Sequence, residues 1–298
     1  MVPRDDTMRE MSSSTINRLD PNKFPPLLRE IPDPPAQLYT KGTLPPEDTK
    51  LLCVVGSRKY SSYGKQTVES LISSLQGKPV AVVSGLALGI DALAHEAALK
   101  ADLRTIAVPG SGLDRNVLAP RSNLGLADRI LLAGGTLLSE FEPEFESTPW
   151  AFPQRNRIMA GISHAVLIIE ARERSGTLIT ARLAGEYNRD VLAVPGSIFS
   201  DSSVGPHQLI RDGATPITSS DDLHEALGLE SEPVRDREID RSHYSADELA
   251  LLDRLSEPQT RDDLIRASAL GPSKANMTIT ALEMKGVIKE ERGQIRKL

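Results

Sequence analysis

The 298-residue sequence contains 41 acidic and 35 basic side chains, and its formal net charge is -6 at pH 7. This charge argues against a protein that coats nucleic acid indiscriminately, although local clusters of basic residues can still bind phosphates. A single cysteine excludes a disulfide framework and a cysteine-based zinc site. No apolar run approaches the roughly 20 residues that a membrane-spanning helix needs, so we expect a cytoplasmic protein with no membrane partner.

Composition divides the sequence into four parts. Residues 1–20 are polar and lack periodicity, which predicts a disordered tail. Residues 21–228 begin with a proline-rich extension, expected to lie extended over the domain, and continue with alternating strand and helix patterns. A charged linker is predicted at 229–243. Three short capped helices and a hairpin then predict a winged-helix domain at 244–298.

The alternation of strands and helices in 21–228 predicts an α/β fold, a Rossmann-like, doubly wound parallel sheet. Apolar runs such as Ala165–Ile169 are too short for helices and contain neither Gly nor Pro, as is typical of central parallel strands. In such sheets ligands bind at the carboxyl ends of the strands. The polar loops that follow strands are therefore the candidate sites.

Two strand-to-helix turns carry small residues that would let a phosphate approach the backbone. They are Gly56-Ser57-Arg58 and Ser84-Gly85, and Arg58 could also form a bidentate contact with a phosphate. An ordinary turn with a solvated arginine is the alternative for the first of them. Asp91 and His95, four residues apart on the following helix, are expected to pair with each other.

Aromatic residues make up only 4% of the chain, yet Phe141, Phe145, Trp150 and Phe152 lie within a dozen residues. The basic segment Arg155-Asn156-Arg157 follows directly. Proteins that hold single strands without reading their sequence stack bases on aromatic rings and contact phosphates with arginines. Phe152 is the stacking candidate, whereas Phe141 and Trp150 are expected to plug the loop against the sheet.

Further positions could accept an anion. Arg121 and Asn123 follow the third strand, and Ser175-Gly176 begins a helix, although Ser175 could simply be its cap. The sequence has no Walker phosphate loop, no metal-ligand spacing among its histidines and no nucleophilic triad. We therefore expect neither catalysis nor a cofactor.

The order and spacing of these motifs resemble the DNA processing protein A family, also called DprA or Smf. The resemblance covers roughly Leu27 to Leu227. The matching motifs are Val55-Gly56-Ser57-Arg58, Ser84-Gly85-Leu86-Ala87 with Gly89-Ile90-Asp91 and His95, Ser139-Glu140, Phe152-Pro153 with Arg155–Ile158, Ser175–Ala181, and Val194-Pro195-Gly196. One departure is Ala119, which stands where the family usually has tyrosine. This chain therefore lacks any contact that the family makes through that ring.

The resemblance implies a non-enzymatic protein that binds incoming single-stranded DNA during natural transformation. Such a protein shields the strand from nucleases and helps to load a RecA-type recombinase onto it. The resemblance further implies a homodimer formed around His207–Thr215, with His207, Leu209 and Ile210 as interface candidates. A winged-helix domain at the carboxyl end is common in this family.

An enzyme or nucleotide-binding module is the alternative. Gly134-Gly135-Thr136 with Ser139-Glu140 faintly resembles the signature of nucleoside-monophosphate phosphoribohydrolases, in which a glutamate and an arginine cleave the N-glycosidic bond. A nucleotide-sensing member of the same superfamily is a third interpretation. In the predicted winged-helix domain ten acidic and ten basic residues balance from Asp240 onward, so partner binding or a structural role is at least as well supported there as DNA binding.

Overall fold

The computed structural model describes residues 15–229, 244–255, 259–291 and 293–297. They form two compact units, one on each side of residues 230–243. Most of the predicted tail and nearly all of the predicted linker therefore lie outside the described residues.

A nine-stranded sheet forms the centre of the first unit. Its strands are β1 Asn17–Arg18, β2 Tyr39–Gly42, β3 Lys50–Val55, β4 Val80–Ser84, β5 Thr105–Ala107, β6 Thr136–Ser139, β7 Ala165–Ile168, β8 Asp190–Ala193 and β9 Thr215–Pro216. They lie in the order β1-β2-β6-β5-β4-β3-β7-β8-β9. Every pair of adjacent strands between β6 and β9 in this order is parallel, which confirms the predicted fold class. The β1-β2 and β2-β6 pairs are antiparallel.

This antiparallel edge corrects two expectations about the first 46 residues. The predicted disordered tail extended to residue 20, but β1 pairs with β2 within it. The proline-rich extension is not simply extended chain, because it contains the short helix α1 Pro26–Arg29 as well as β2. The first residue of a helix makes no backbone hydrogen bond within the helix through its amide, so proline is tolerated at the start of α1. Leu28 and Leu38 are fully buried, so this segment belongs to the core.

Helices cover both faces of the sheet. They are α2 Ser62–Ser73, α3 Ile90–Lys100, α4 Leu124–Leu132, α5 Ala151–Ile162, α6 Gly176–Glu186, α7 Val204–Arg211 and α8 Ser220–Ala226. Alternate residues of β3 point to opposite faces, as the period of a strand requires. Leu52 and Val54 pack with α2 and α3, whereas Cys53 and Val55 pack with α5 and α6.

The strand order reverses between β3 and β7. The chain proceeds outward from β3 to β4, β5 and β6, and then returns to place β7 on the other side of β3. The helices that follow these two strands, α2 and α6, pack on opposite faces of the sheet. Their separation leaves a crevice at the carboxyl ends of β3 and β7, the usual ligand position in open α/β sheets.

The second unit has the order of a winged helix. It consists of α9 Ala246–Arg254, α10 Arg261–Ala267, α11 Pro272–Met284, β10 Ile288–Glu291 and β11 Gln294–Lys297. Ser245 and Thr260 cap the first two helices with their side chains, and Gly271 precedes the third. Throughout the described ranges, every helix is too short or too polar to cross a bilayer.

Candidate nucleic-acid interface

A cavity of about 560 Å³ opens at the crevice between β3 and β7. The loop after β3 and the first turns of α5 and α6 supply most of its lining. The predicted DNA-binding residues that line it are Gly56, Arg58, Phe152, Arg155, Asn156, Ser175 and Gly176. Residues from three separate sequence motifs therefore meet in one place.

Arg58 and Phe152 form one wall of this cavity. The guanidinium carbon of Arg58 lies 5.6 Å from the centre of the Phe152 ring, within the range of a cation–π contact. A β-carbon at Gly110 would lie 2.6 Å from the same ring, so glycine is needed there to leave room for it. Arg58 is exposed whereas the ring is half-buried. The ring is thus the packed part of the wall, and the arginine is the part that faces solvent.

The other aromatic residues of this region pack on one another instead. The rings of Phe141 and Phe145 stack with their centres 4.5 Å apart, and Trp150 meets both edge-on. None of the three lines the cavity. Phe141 is buried, in agreement with its expected packing of the loop against the sheet. Trp150 was expected to do the same, but 54% of its surface is exposed.

Arg155 closes the floor of the cavity, and its placement differs from the predicted phosphate contact. Its side chain is buried, and Nη1 donates to the carbonyl oxygens of Gly85, at 2.6 Å, and of Val108. These two residues directly follow β4 and β5. Asp91, at the start of α3, is also buried, and its carboxylate accepts a hydrogen bond from the Gly85 amide at 3.2 Å.

The buried Arg155 and Asp91 influence each other electrostatically, because both lie against Gly85. Burial raises the pKa of Asp91, and the positive charge of Arg155 opposes that rise. Burial likewise lowers the pKa of Arg155, and Asp91 opposes that fall. Gly85 makes the pair possible, because a β-carbon there would lie 2.3 Å from Nη1 of Arg155. Gly85 and Arg155 are therefore structural supports of the site.

Asp91 and His95 do not pair with each other, which corrects that expectation. Nδ1 of His95 lies 2.7 Å from Oγ1 of Thr105, on the neighbouring strand β5. Because the ring is fully buried, the pKa of His95 is lowered to about 3, so the imidazole is neutral at pH 7. Ser84 is buried as well and donates to the Val54 carbonyl at 2.7 Å, which removes it from the interface.

Arg157 faces away from the cavity. Its guanidinium forms an ion pair with Glu140 and donates to the Asp33 carbonyl. Only 12% of its side chain and 8% of that of Glu140 are exposed. Because a nearly buried carboxylate already compensates its charge, Arg157 is a poor ligand for a phosphate. Its contacts instead anchor α5 to the loop after β6.

The remaining predicted residues lie outside the cavity lining. The Ser57 hydroxyl donates to the Lys59 carbonyl at 2.7 Å and shapes its own turn. Asn123 is buried and donates to the Leu86 carbonyl at 2.9 Å, so it supports the loop after β4. Arg121 is exposed at the end of the long loop after β5.

The amino terminus of α6 completes the site. Ser175 caps the helix by accepting a hydrogen bond from the Thr177 amide, and the Thr177 hydroxyl donates to the Gly56 carbonyl at 3.1 Å. A β-carbon at Gly176 would meet no atom within 4 Å, so this turn faces open space. The first amides of a helix and its dipole both favour an anion at such a position.

Basic side chains around this site lack acidic partners. Arg58, Lys59, Arg172 and Arg174 are all exposed, and none of them forms an ion pair among the described residues. On the outer helices, by contrast, Arg129 pairs with Glu96 at 3.0 Å. The site is therefore locally positive although the whole chain is acidic.

The sequence reasoning missed the apolar part of the lining. Met159 and Ile179 line the cavity beside Asn156 and Gly176, each three residues further along the same helix. Helical spacing is the signal that could have found them, because residues three apart share a face. Asp91 was assigned to the wrong partner because no local signal shows that Arg155 of α5 reaches the turn after β4, where Asp91 also binds.

The motif behind the phosphoribohydrolase alternative is not assembled around the cavity. Gly134 has a φ of +75° and ends α4, and Gly135 precedes β6, at the amino end of the strands. Glu140 is held by Arg157 and by Gln154, whose amide donates to it at 3.0 Å. None of these glycines and acids lines the cavity.

Comparison with known proteins identifies the family. A model of the DNA recombination-mediator protein A family matches residues 15–228, and one of the DprA winged helix domain matches residues 239–294. The chain belongs to the DNA recombination-mediator protein A family. The resemblance drawn from the motifs is thereby confirmed.

Individual relatives show the same relationship. The chain is 43% identical over 221 residues to DNA processing protein DprA of Bacillus subtilis, which covers 74% of this chain and 73% of that protein. It is 42% identical over 208 residues to protein Smf of Escherichia coli, covering 70% of this chain and 55% of that protein. About half of the Escherichia coli protein is thus represented here.

Two solved structures share the fold. DNA processing protein A of Streptococcus pneumoniae superposes with a TM-score of 0.65 at 38% identity, over 74% of this chain and 78% of that one. DNA processing protein A of Helicobacter pylori, described for its single-stranded DNA binding mode, gives a TM-score of 0.63 at 28% identity. That match covers 72% of this chain and 97% of the other.

We predict that Arg155→Met lowers the free energy of unfolding by about 2–5 kcal/mol, because two buried carbonyls lose their donor and the buried Asp91 carboxylate loses a nearby positive charge. Arg155→Met combined with Asp91→Asn should cost clearly less than the two single changes added together. Urea unfolding of the four proteins measures this coupling. The exposed Arg172→Met is the matched control and should change stability by less than about 0.5 kcal/mol. Strict additivity would contradict the pairing.

Proposed function

We propose that this protein binds single-stranded DNA in the cavity between β3 and β7, without catalysing a reaction on it. The observation that carries the proposal is the wall formed by Arg58 and Phe152. It places an exposed cation and a half-buried aromatic ring side by side at the mouth of a crevice. Family membership supports the proposal, as does the Helicobacter pylori relative described for binding single-stranded DNA.

Each part of the wall has a distinct task in this proposal. The Phe152 ring stacks on a base once Arg58 swings off its face, and Arg58 then pairs with a phosphate. The backbone at Gly56 and the first turn of α6 receive a second phosphate. Arg155 does not contact DNA but holds the cavity floor, which makes it a positioning residue.

The crevice favours single strands over duplexes. A base can stack on Phe152 only if its face is exposed, whereas the bases of a duplex are stacked on one another. Every base offers an aromatic face, and the predicted phosphate contacts carry no sequence information. We therefore expect binding that depends strongly on salt and weakly on sequence.

The biological setting is proposed from family membership. We propose that the bound strand is DNA taken up during natural transformation, that binding shields it from nucleases, and that the protein assists loading of a RecA-type recombinase. The description of the matching family as recombination mediators supports this extension.

We further propose that the first unit forms a homodimer through α7 and the loop before it. The predicted interface residues are only partly available, because Leu209 packs against the core and His207 lies 3.1 Å from the Gly196 carbonyl. The adjacent Ile198 and Phe199 are 80% and 93% exposed. An exposed apolar patch of this kind is typical of a protein–protein interface.

The DNA site is tested by fluorescence anisotropy of labelled oligo-dT, and of the matching duplex, over a salt series. We expect the single strand to bind more tightly and Arg58→Ala to weaken it about tenfold or more, through loss of a charge-assisted phosphate contact. Arg58→Ala should also reduce the slope of log affinity against log salt concentration by about one, which is the contribution of one phosphate contact.

The matched control is Arg115→Ala, which also removes an arginine, but one that forms an ion pair with Asp128. This variant should bind DNA like the wild type. Equal affinity for strand and duplex, or no effect of Arg58→Ala, would contradict the proposed site. Binding of free nucleotides without binding of oligonucleotides would favour the nucleotide-binding alternative.

For the homodimer, we expect Phe199→Asp and Ile210→Asp each to shift the protein from dimer to monomer, because both place a charge in an apolar contact. Sedimentation equilibrium measures the change. Leu88→Asp is the control, since Leu88 is 49% exposed but lies on the loop after β4. A wild-type monomer at all concentrations would refute this interface.

A further inference from the structure

A second groove lies at the opposite edge of the sheet, where the parallel strands begin. Two cavities of about 340 Å³ and 280 Å³ adjoin there, and Leu27 and His164 line both of them. We call the two cavities together the amino-edge groove. It is separated from the DNA site by the length of the strands, and nothing in the proposed DNA binding uses it.

The larger cavity is apolar and its walls are rigid. Two pairs of prolines, Pro25-Pro26 and Pro45-Pro46, line it together with Leu44 and Ile162. Proline fixes φ and has no amide hydrogen, so these walls lose little conformational freedom when they are covered and offer no backbone donor. A preformed apolar cavity of this size suits one large apolar side chain.

The smaller cavity is cationic. Lys50 and Arg189 line it, and Lys50 forms no ion pair within the ranges that the structure describes. Arg189 donates through Nη2 to the Leu27 carbonyl at 2.8 Å, while its Nε is buried without a hydrogen-bond partner. Arg189 also forms an ion pair with the exposed Glu30 at 3.5 Å, and only 8% of its own side chain is exposed. Lys50 is therefore the cation of this cavity that is left for a ligand.

His164 joins the two cavities and adds another donor. Its Nδ1 accepts a hydrogen bond from the Leu51 amide at 3.0 Å, so the neutral ring carries its proton on Nε2. Burial lowers the pKa of His164, and the charges of Lys50 and Arg189 lower it further. Lys50 and Arg189 are thus the charges that act on this junction most strongly, while the exposed carboxylates of Glu47 and Asp190 lie elsewhere along the groove lining.

We propose that the amino-edge groove binds an acidic linear segment of a partner protein. An apolar side chain of that segment fills the proline-lined cavity, and neighbouring carboxylates meet Lys50 and the Nε2 proton of His164. A basic or purely apolar segment leaves the cationic half unmatched. Because the groove and the DNA site lie at opposite edges, the protein can hold the partner and the strand together.

The test uses the full chain and a fluorescein-labelled peptide, Gly-Asp-Glu-Phe-Glu-Asp-Gly, blocked at both ends. Two comparison peptides replace the acids by lysine or the phenylalanine by alanine. We expect anisotropy to show the acidic peptide binding at least about tenfold more tightly than either. Lys50→Glu and Leu44→Asp should each weaken binding by a similar factor in folded protein, as judged by circular dichroism.

Lys59→Glu makes the same charge change at the DNA edge and is the matched control. It should leave peptide binding unchanged and weaken oligo-dT binding, whereas Lys50→Glu should do the reverse. This double comparison separates failure of the groove from failure of the DNA site. Equal binding of acidic and basic peptides, or indifference to both Lys50→Glu and Leu44→Asp, would overturn the proposal.

Discussion

The burial of Arg155 and Asp91 on either side of Gly85 is the constraint on which the rest of the site depends. A charge taken out of water must be compensated, and Arg155 is compensated only if α3, α5 and the ends of β4 and β5 all come together. The same contacts fix the first turn of α5, which carries Phe152. These buried contacts therefore set the position of the Phe152 ring, which lines the proposed DNA site.

The topology explains why such a site can work in an acidic protein. Reversal of strand order at β3 and β7 sends α2 and α6 to opposite faces and leaves the crevice between them. Among the described residues, the exposed cations at this edge, Arg58, Lys59, Arg172 and Arg174, form no ion pairs, whereas Arg157 and Arg129 are paired elsewhere. Phosphates respond to the local potential rather than to the net charge of -6.

The sequence predicted the elements and the approximate site well, because strand and helix periods and glycine-rich turns are local signals. It could not predict which basic residues face the ligand. Arg155 and Arg157 are two residues apart on one helix, yet one closes the cavity floor and the other pairs with Glu140. Those roles are decided by distant partners. The strand at Asn17–Arg18 was missed for the same reason, since only its pairing with β2 makes it a strand.

The most direct test of the account is to map where a single strand touches the protein. An oligo-dT containing 5-iododeoxyuridine, crosslinked by ultraviolet light and analysed by mass spectrometry, reports the residues in contact with bases. The account predicts crosslinks at Phe152 and in the neighbouring segments 56–58 and 175–180. Crosslinks concentrated in residues 244–297, or at the amino ends of the strands, would contradict it.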